Sequence, residues 1–461
     1  MNAAPRGFHR SLKLVGALLL TLSAITPAAS VAVIIPGIIL QAGTGALASL
    51  GFGALVALAI AYVYAELGSA HPIAGGDYAL IGKTLGPFAG FTYLGVRAVS
   101  VAFAPGVLCL GAAGYLKVIW PAAPAVPVAI GIIWFATALG VLNIRTNAFI
   151  TGAFLAVELA ILAVLAALGF SAPSRSLTDL VLHPVTLDGG HLVSTSFAAI
   201  GLAAAVAIFA YDGFGVAVYF GEETVGASRR VARTILVALF LTVAFEFIPT
   251  LAVLIGAPDL KALLASPTPF SDFIAQRGGN WLAIAVSLGV ALAIINAMIA
   301  IVLVYARFFY SSGRDQAWAA PINAALTRIS PRFGSPWVAN LTSGGLASLG
   351  CFLPFQDLLV FTGAVVVFTY ALLCWAAIAG RLNGSTAHGI YRMPLYPVTP
   401  MLALVALAYV VWANWADPVI GRPSVVAFLA IALISVVYCL VMRRRRGPSW
   451  SLTGPSPEEA S

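Results

Sequence analysis

The chain has few charged residues for its length. Of its 461 residues, only 9% are Asp, Glu, Lys or Arg, whereas 61% are hydrophobic. Soluble domains carry roughly a quarter charged residues, so this composition excludes an ordinary soluble globular protein. Because an apolar run of about 20 residues is enough to cross a bilayer, the long apolar runs predict a polytopic helical protein embedded in the lipid bilayer.

Residue patterns for disulfides, metal binding and catalysis are also missing. The four cysteines lie in apolar runs without a CxxC pair, and the five histidines lie in tails and loops. The sequence contains no HExxH, Walker loop or GxSxG pattern. These absences give no support to an enzyme, and we expect no cofactor and no metal site.

The net charge of +8 does not indicate a nucleic-acid partner, because the basic residues follow a membrane topology. With the N-terminus inside, most Lys and Arg fall on the cytoplasmic side, including four arginines at 443–446 after the last apolar run. The pattern predicts a multi-pass protein of the cell (inner) membrane with both termini in the cytoplasm.

Short loops join about twelve apolar runs of membrane length, which predicts an all-α fold and a single transmembrane domain. We expect the first five spans within 12–170, the next five within 196–382 and two additional spans within 396–442. A polar external loop at 171–193 separates the first two groups, and a cytoplasmic tail at 443–461 follows the last span.

Two spans carry residues that interrupt a helix. Residues 12–40 form one apolar segment, but Pro27 lacks a backbone N–H and clashes with the preceding turn. In the sixth span, Asp212 lies between Tyr211 and Gly213, and glycine favours an unwound backbone. A charge at that depth costs roughly 2.5–3.5 kcal/mol. Either Asp212 is bonded to a neighbouring helix at a kink, or the helix is broken beside a solute site.

The positions of the two interruptions favour the broken-helix interpretation. They are five spans apart. Because each span crosses the membrane once, an odd number of spans places the two halves of the chain in opposite orientations. Broken helices at matching positions of such halves indicate an inverted-repeat transporter with a binding site near the middle of the membrane. We therefore predict a five-plus-five inverted repeat with discontinuous helices 1 and 6, followed by two C-terminal helices.

Four parts of the chain resemble the amino acid–polyamine–organocation permeases, which have the leucine-transporter-type fold. They are AELGSAHPIAGGDY with LGPFAGF (65–78 and 85–91), FAYDGFG with GEET and SRRVARTI (209–235), RFFYSSGRD (307–315) and YRMPLYPVTP (391–400). Their order and spacing match over nearly the whole chain. The resemblance implies a secondary active transporter that moves a small molecule, an amino acid or related amine, by alternating access.

The resemblance also implies where the substrate binds. In these permeases, amides at the first break hold the substrate carboxylate and carbonyls at the sixth break hold its ammonium group. The implied substrate-binding residues are Thr26, Pro27, Ala28, Ala29, Ser30, Phe209, Ala210, Tyr211, Asp212 and Gly213. Many relatives have Gly-x-Gly at the first break, whereas this chain has Thr-Pro-Ala-Ala-Ser, so methyl groups and a proline ring shape its pocket differently.

More acidic than basic residues lie in the predicted spans. Asp212, Glu158 and Glu246 lie near mid-span, and Arg97 is the one base among them. A single arginine cannot pair with every carboxylate, so the surplus carboxyls must be protonated, solvated in a cavity or matched by a bound cation. We expect Arg97 to form a buried ion pair with one of them and leave its partner open.

Glu158, Glu246 and Asn296 are the candidates for ion coupling. In some proton-driven members of the resembling family, an ionisable side chain on the fifth helix, a lysine, lies where sodium-driven members bind the ion. Glu158 lies on the fifth span, so we expect proton coupling or exchange, with sodium as the alternative. The structural alternative for Glu158 and Glu246 is a pair with Arg97, and the alternative for Asn296 is a helix–helix hydrogen bond.

The ends of two spans suggest a cytoplasmic gate. Arg10 and Lys13 precede span one, and Asp315 ends span eight. In the resembling fold, the inner gate closes by pairing such ends; solvated interfacial charges are the alternative. A non-transporting, ligand-sensing receptor on the same fold is the alternative to a carrier. The sequence is compatible with a monomer and with a homodimer.

Overall fold

The computed structural model describes residues 8–117, 120–418, 421–447 and 450–452, without the side chains at 355–356 and 359–360. Most of these residues are helical and the strands form a single hairpin, which confirms the predicted all-α class. The helices of the first part of the chain are α1 (Leu14–Ile25), α2 (Pro27–Ala29), α3 (Ile35–Ala42), α4 (Ala46–Ala70), α5 (Asp77–Leu85), α6 (Pro87–Leu116), α7 (Ala125–Gly140) and α8 (Ile144–Ser171).

The second part of the chain begins with a short helix and a two-stranded hairpin. The remaining elements are α9 (Leu177–Leu182), β1 (Val185–Asp188), β2 (His191–Ser194), α10 (Phe197–Ala210), α11 (Ala227–Gly256), α12 (Leu260–Ala265), α13 (Pro269–Gly278), α14 (Asn280–Arg314), α15 (Ala320–Leu326), α16 (Trp337–Gly350), α17 (Phe355–Leu382), α18 (Val398–Ala416) and α19 (Gly421–Arg446). A π-helical turn covers Ser30–Ile34, and 3₁₀ segments cover Gly43–Gly45 and Phe214–Glu223.

Nine helical stretches in the described residues are long and apolar enough to cross a membrane. The first, Leu14–Ala70, has 57 residues, more than twice the length that one crossing needs, and the 3₁₀ turn at Gly43–Gly45 divides it. The apolar helix Ala125–Gly140 is shorter. The predicted polytopic architecture is confirmed, whereas the number of twelve spans and the limits of the two repeats stay predictions.

Polar caps set the start of several helices. Asn143 accepts a hydrogen bond from the Thr146 amide at 2.9 Å and begins α8. Ser196 accepts one from the Ala199 amide at 3.1 Å and begins α10. Such side chains satisfy amides that have no partner within the helix. The caps therefore fix where the chain enters the bundle on both sides of the loop between α8 and α10.

The loop at 171–193 has more structure than its polar composition predicts. β1 and β2 form an antiparallel hairpin, and its turn is Gly189-Gly190, with φ of 54° and 79°. The Val185 amide donates to Thr44 Oγ1 at 2.8 Å. The hairpin thus packs on the turn between α3 and α4, at the end of the bundle away from the first residues of α1.

Residues near both termini lie at one end of the bundle, called here the termini end. The Leu12 amide donates to the Glu223 carbonyl at 2.9 Å, and the Trp450 ring stacks on Phe91 at 3.8 Å. The Trp450 Nε1 donates to the Asp315 carbonyl at 3.0 Å. The segments that precede α1 and follow α19 therefore contact the same end of the protein.

The predicted tail at 443–461 is corrected in part. α19 continues through Arg446, where basic side chains interact favourably with the negative end of the helix dipole. Leu452 is buried, and its carbonyl accepts a hydrogen bond from Lys83 Nζ at 2.9 Å. Burial of Trp450 and Leu452 side chains explains why 450–452 packs on the bundle. Residues 453–461 lie outside the described part.

Glu66 joins α4 to later parts of the chain. It is completely buried and forms a bidentate pair with Arg381 of α17, with both N–O distances at 2.7 Å. It also accepts a hydrogen bond from the Met393 amide at 2.8 Å. Because each carboxylate oxygen has a charged or amide donor, Glu66 has a structural role at the termini end.

Candidate functional site

The first span is interrupted at a single residue. α1 ends at Ile25, and Thr26 adopts a left-handed conformation with φ of 51° before a new helix begins at Pro27. A β-branched residue in that region is strained and persists only when its surroundings hold it. The Thr26 hydroxyl lies 3.2 Å from Glu158 Oε2 and 3.3 Å from the Ala293 carbonyl, and these contacts hold the break.

The sixth span is interrupted where the sequence predicts it. α10 ends at Ala210, and Gly213 has φ of 118° before the 3₁₀ segment Phe214–Glu223 begins. A Cβ atom at Gly213 would lie 2.8 Å from Cγ1 of Ile25. Both the backbone angle and the contact require glycine, because other residues rarely adopt this φ. The two breaks therefore lie against each other.

Substituting Gly213 by alanine is expected to destabilise the protein by about 1–3 kcal/mol, because the side chain meets Ile25 and the backbone angle is unfavourable. The control is Gly131→Ala, since Gly131 lies within α7, where an added Cβ atom would meet no neighbouring part of the protein within 4 Å. That change is expected to be neutral or stabilising. Thermal unfolding in detergent measures both; equal melting temperatures for the two variants would contradict the account of the break.

Amides at the first break already have partners. The Ala29 and Ser30 amides donate to the Thr26 carbonyl at 3.0 and 3.1 Å. The Ala28 amide lies beside the Glu158 carboxyl. These are the groups that the resemblance assigns to the substrate carboxylate, and in this structure they bond within the protein.

Two of the three carbonyls at the sixth break also have partners. The Phe209 carbonyl accepts from the Asp212 amide at 3.1 Å. The Ala210 carbonyl accepts from Ser30 Oγ at 3.2 Å. This second bond crosses from the sixth span to the first and joins the two breaks directly.

A cavity of about 160 Å³ lies between the breaks. Seven of the ten predicted substrate-binding residues line it, namely Thr26, Ala29, Ser30, Phe209, Ala210, Asp212 and Gly213. Its described lining does not include Pro27, Ala28 or Tyr211. Arg97 of α6 also lines it. Most of the other lining side chains are apolar and come mainly from α1, α6 and α14 and from the helical turns after the first break.

A smaller polar cavity of about 50 Å³ adjoins the first and shares Arg97 and Asp212 with it. Asp77, at the start of α5, lines this cavity and accepts hydrogen bonds from the hydroxyls of Tyr64 and Tyr219, both at 2.9 Å. The sequence prediction missed Asp77, although it lies in the GGDY motif at 75–78. The acid that directly follows two glycines in this motif is the sequence feature that could have identified it.

The predicted ion pair of Arg97 is not found. None of the ion pairs within 4.0 Å in the described residues includes Arg97. Its guanidinium lies 5.4 Å from the centre of the Tyr305 ring, and its Nε is buried without a hydrogen-bond partner. The nearby carboxyls are satisfied otherwise, because Tyr370 donates to Asp212 and two tyrosines donate to Asp77.

Glu158, Asn296 and Thr26 come together from three helical segments. Glu158 is completely buried; its Oε1 accepts from Asn296 Nδ2 at 2.8 Å and its Oε2 contacts the Thr26 hydroxyl. The cluster links α8, α14 and the first break, and it borders the larger cavity through Thr26. A change in the protonation of Glu158 would therefore reach the backbone of the break directly.

Glu246 lies apart from this cluster. It is completely buried on α11, and neither carboxyl oxygen has a hydrogen-bond partner among the described residues. The hydroxyl of Tyr211 is also buried without a partner in that part of the chain. An ionised carboxylate without a partner is very costly at such a site, so the surroundings of Glu246 favour a carboxyl that carries its proton.

Two buried ion pairs hold the termini end together. Arg307 of α14 forms a bidentate pair with Glu223 at 2.6 and 2.9 Å, and Arg314 forms one with Glu222 at 2.8 and 2.9 Å. Both acids end the 3₁₀ segment of the sixth span. These pairs connect the sixth span to the end of α14.

The predicted gate residues are arranged differently. Asp315 accepts a hydrogen bond from the Tyr78 hydroxyl at 2.9 Å. Neither Arg10 nor Lys13 belongs to an ion pair in the described residues, and the Lys13 side chain is exposed. The carboxylates of the two buried ion pairs described at this end come from the sixth span, and the cytoplasmic gate of Arg10, Lys13 and Asp315 stays a prediction. The GEET and RFFYSSGRD motifs contain all four paired residues and were the available signal.

The chain matches the model of a known protein family and is similar to several named proteins. The family model described as "Amino acid permease" matches residues 12–441. The chain is 28% identical over 375 residues to an uncharacterized transporter of Mycobacterium tuberculosis, with 80% of each chain covered. It is 25% identical over 443 residues to the branched-chain amino acid permease BcaP of Bacillus subtilis, with 90% of each covered. Over 396 residues it is 24% identical to BcaP of Lactococcus lactis, covering 80% of this chain and 82% of that protein.

Proposed function

The chain belongs to the amino acid permease family, and from this premise we propose that it is a secondary active carrier that moves an amino acid by alternating access. One observation carries the proposal. A cavity lies between two interrupted helices and contains an arginine and an aspartate among apolar side chains. Broken helices that surround a central cavity are the arrangement that alternating-access carriers use to bind a solute.

An apolar amino acid of about the size of leucine is the proposed substrate. Apolar lining favours an apolar side chain, because burying it releases about 25 cal/mol per Å². The volume of about 160 Å³ is similar to that of an engineered cavity of about 150 Å³ that binds benzene. Relatives named as branched-chain amino acid permeases support the same class.

The termini end is proposed to face the cytoplasm of a cell whose plasma membrane contains the protein. Arginines at 229, 230, 233 and 443–446 are concentrated at this end, and basic residues favour the cytoplasmic side. Alternating access then requires the Arg307–Glu223 and Arg314–Glu222 pairs to separate when the cavity opens to the cytoplasm.

Glu158 is the proposed proton-coupling residue. The Thr26 hydroxyl has one proton but lies within hydrogen-bond distance of both the Ala293 carbonyl and Glu158. A carbonyl can only accept. When Thr26 donates to Ala293, its contact with Glu158 is a hydrogen bond only if the carboxyl is protonated and donates. When Glu158 is protonated, both contacts of Thr26 can be hydrogen bonds at once; when Glu158 is ionised, the single Thr26 proton serves only one of the two acceptors. Loss of the Glu158 proton thereby changes the contacts that hold the first break.

Uptake by proteoliposomes tests the carrier function. Labelled apolar, acidic and basic amino acids and a polyamine are each offered with and without an inward proton gradient, in the presence and absence of sodium. We expect accumulation of an apolar amino acid that depends on the proton gradient and not on sodium. A working carrier reconstituted in parallel serves as the control. No accumulation of any amino acid, with the control active, would contradict the proposed function.

A further inference from the structure

Two side chains of opposite charge face the larger cavity without pairing with each other. Arg97 and Asp212 both line it, and no ion pair within 4.0 Å joins them among the described residues. The Nε of Arg97 is buried and has no hydrogen-bond partner. Asp77 and Asp212 are close enough to Arg97 to interact with its charge, but neither lies within ion-pair distance of it among the described residues. A buried N–H without an acceptor is costly, so this site is suited to a ligand that brings a carboxylate.

Backbone groups at the breaks are poorly placed to bind the charges of a ligand. The Ala29 and Ser30 amides donate to the Thr26 carbonyl, and the Phe209 and Ala210 carbonyls accept from groups of the protein. A ligand that used them would first have to break these bonds. A ligand carboxylate that binds the Nε of Arg97 breaks no hydrogen bond of that atom, because it has no partner among the described residues.

We propose that Arg97 binds the carboxylate of the substrate and Asp212 binds its ammonium group, an inference that rests on the carrier function proposed above. The guanidinium presents parallel N–H groups that match a carboxylate in a bidentate arrangement. Tyr370 donates to Oδ1 of Asp212, and because a carboxylate can accept several hydrogen bonds, Asp212 can also accept from an ammonium group in the cavity. The substrate side chain then lies against the apolar lining supplied by residues such as Val107, Ile294 and Ile301.

This arrangement makes both charges of an amino acid necessary for binding. An amine without a carboxylate brings a second cation towards Arg97, and a carboxylic acid without an amine brings a second anion towards Asp212. Each unpaired charge is a repulsive element against the wrong ligand. The site therefore selects amino acids and rejects polyamines, although an acid in the sixth span alone suggests a cationic substrate.

Equilibrium binding to the purified protein tests the assignment. The ligands are leucine, isoamylamine, which lacks the carboxylate, and 4-methylpentanoate, which lacks the amine. The wild type is expected to bind leucine about 100-fold more tightly than either analogue, since leaving one buried charge unpaired carries a penalty of that order. Arg97→Gln should remove the preference over isoamylamine, and Asp212→Asn should remove the preference over 4-methylpentanoate.

Two further variants separate recognition from folding. Arg97→Lys keeps the charge but not the bidentate geometry, so it should restore part of the preference over isoamylamine. Arg145→Gln removes a positive charge from an exposed position on α8 and should leave all three affinities unchanged. A loss of overall stability alone would lower binding of every ligand in proportion and would not change their ratios.

The outcomes distinguish this inference from the carrier function. If leucine is transported but Arg97→Gln keeps the wild-type preference over isoamylamine, the carboxylate assignment is wrong and the carrier function stands. If the preferences change as expected but no uptake occurs, the assignment stands and the carrier function is wrong. Wild-type protein that binds none of leucine, isoleucine and valine, or that binds isoamylamine as tightly as leucine, contradicts the inference.

Discussion

Glu158→Gln is expected to abolish gradient-driven accumulation of substrate while exchange across the membrane continues. A glutamine amide can donate to Thr26 and accept from Asn296, so it reproduces the contacts of a protonated Glu158. It cannot release a proton. A pH difference of one unit supplies about 1.4 kcal/mol, which corresponds to about tenfold accumulation for one proton per substrate. We expect Glu158→Gln to lose this tenfold accumulation.

The pH dependence has a defined sign. In the wild type, uptake should rise when the outside is made more acidic than the inside, because protonation of Glu158 accompanies binding. In Glu158→Gln it should not change with the imposed gradient. Asp188→Asn, at an exposed position of the hairpin, provides the control for the loss of a carboxyl outside the bundle.

Glu246→Gln determines which buried carboxyl moves the proton. Glu246 has no partner within hydrogen-bond distance among the described residues, but it lies near Ser30 of the first break and Tyr211 of the sixth, so it is the alternative residue through which a proton could act on the breaks. Loss of gradient-driven accumulation in Glu246→Gln, with normal coupling in Glu158→Gln, would transfer the role to Glu246. Normal coupling in both variants would remove both residues from the mechanism.

Arg307→Met is expected to destabilise the protein by about 3–5 kcal/mol, the cost of leaving one charge of a buried pair without its partner. Arg307 and Glu223 are only 2% and 4% exposed, and the guanidinium also lies over the Phe8 and Phe220 rings at 5.6 and 5.2 Å. The midpoint of thermal unfolding in detergent measures the loss.

The double variant Arg307→Met, Glu223→Met should recover most of this stability, because a buried ion pair can be replaced by apolar side chains at little cost. Arg392→Ala is the control, since Arg392 is 44% exposed and its 3.5 Å contact with Glu66 is secondary to the bidentate Arg381 pair that Glu66 keeps, so its loss should cost only about 0–1 kcal/mol. A double variant no more stable than Arg307→Met alone would contradict this explanation of the closed termini end.

Local sequence features were sufficient to predict the architecture. Pro27 and Gly213 interrupt their helices for reasons that lie in the residues themselves, and both breaks are found where the sequence predicts them. The hairpin at 185–194 was missed because each strand has only four residues, too few for a strand pattern to stand out in a polar loop. Packing of 450–452 was missed because it depends on Phe91 and Lys83, which are distant in the sequence.

The hydrogen-bond partners of the acids in the site were harder to predict, because they too are distant in the sequence. The presence of Arg97 and Asp212 in the membrane is evident from composition, but the hydroxyls that satisfy the acids come from Tyr64, Tyr219 and Tyr370 on other segments. Any of these tyrosines is an ordinary apolar residue in the sequence. Only the packing of the helices determines that no described carboxylate lies within ion-pair distance of Arg97.

Counterflow is the most direct test of the central claim that the chain is a carrier with a site between its two breaks. Proteoliposomes loaded with unlabelled leucine are diluted into labelled leucine without any ion gradient. The account predicts a transient accumulation of label above its outside concentration, which Asp212→Asn reduces strongly. Label that only equilibrates, or that enters at the same rate in empty and loaded vesicles, would contradict a carrier mechanism.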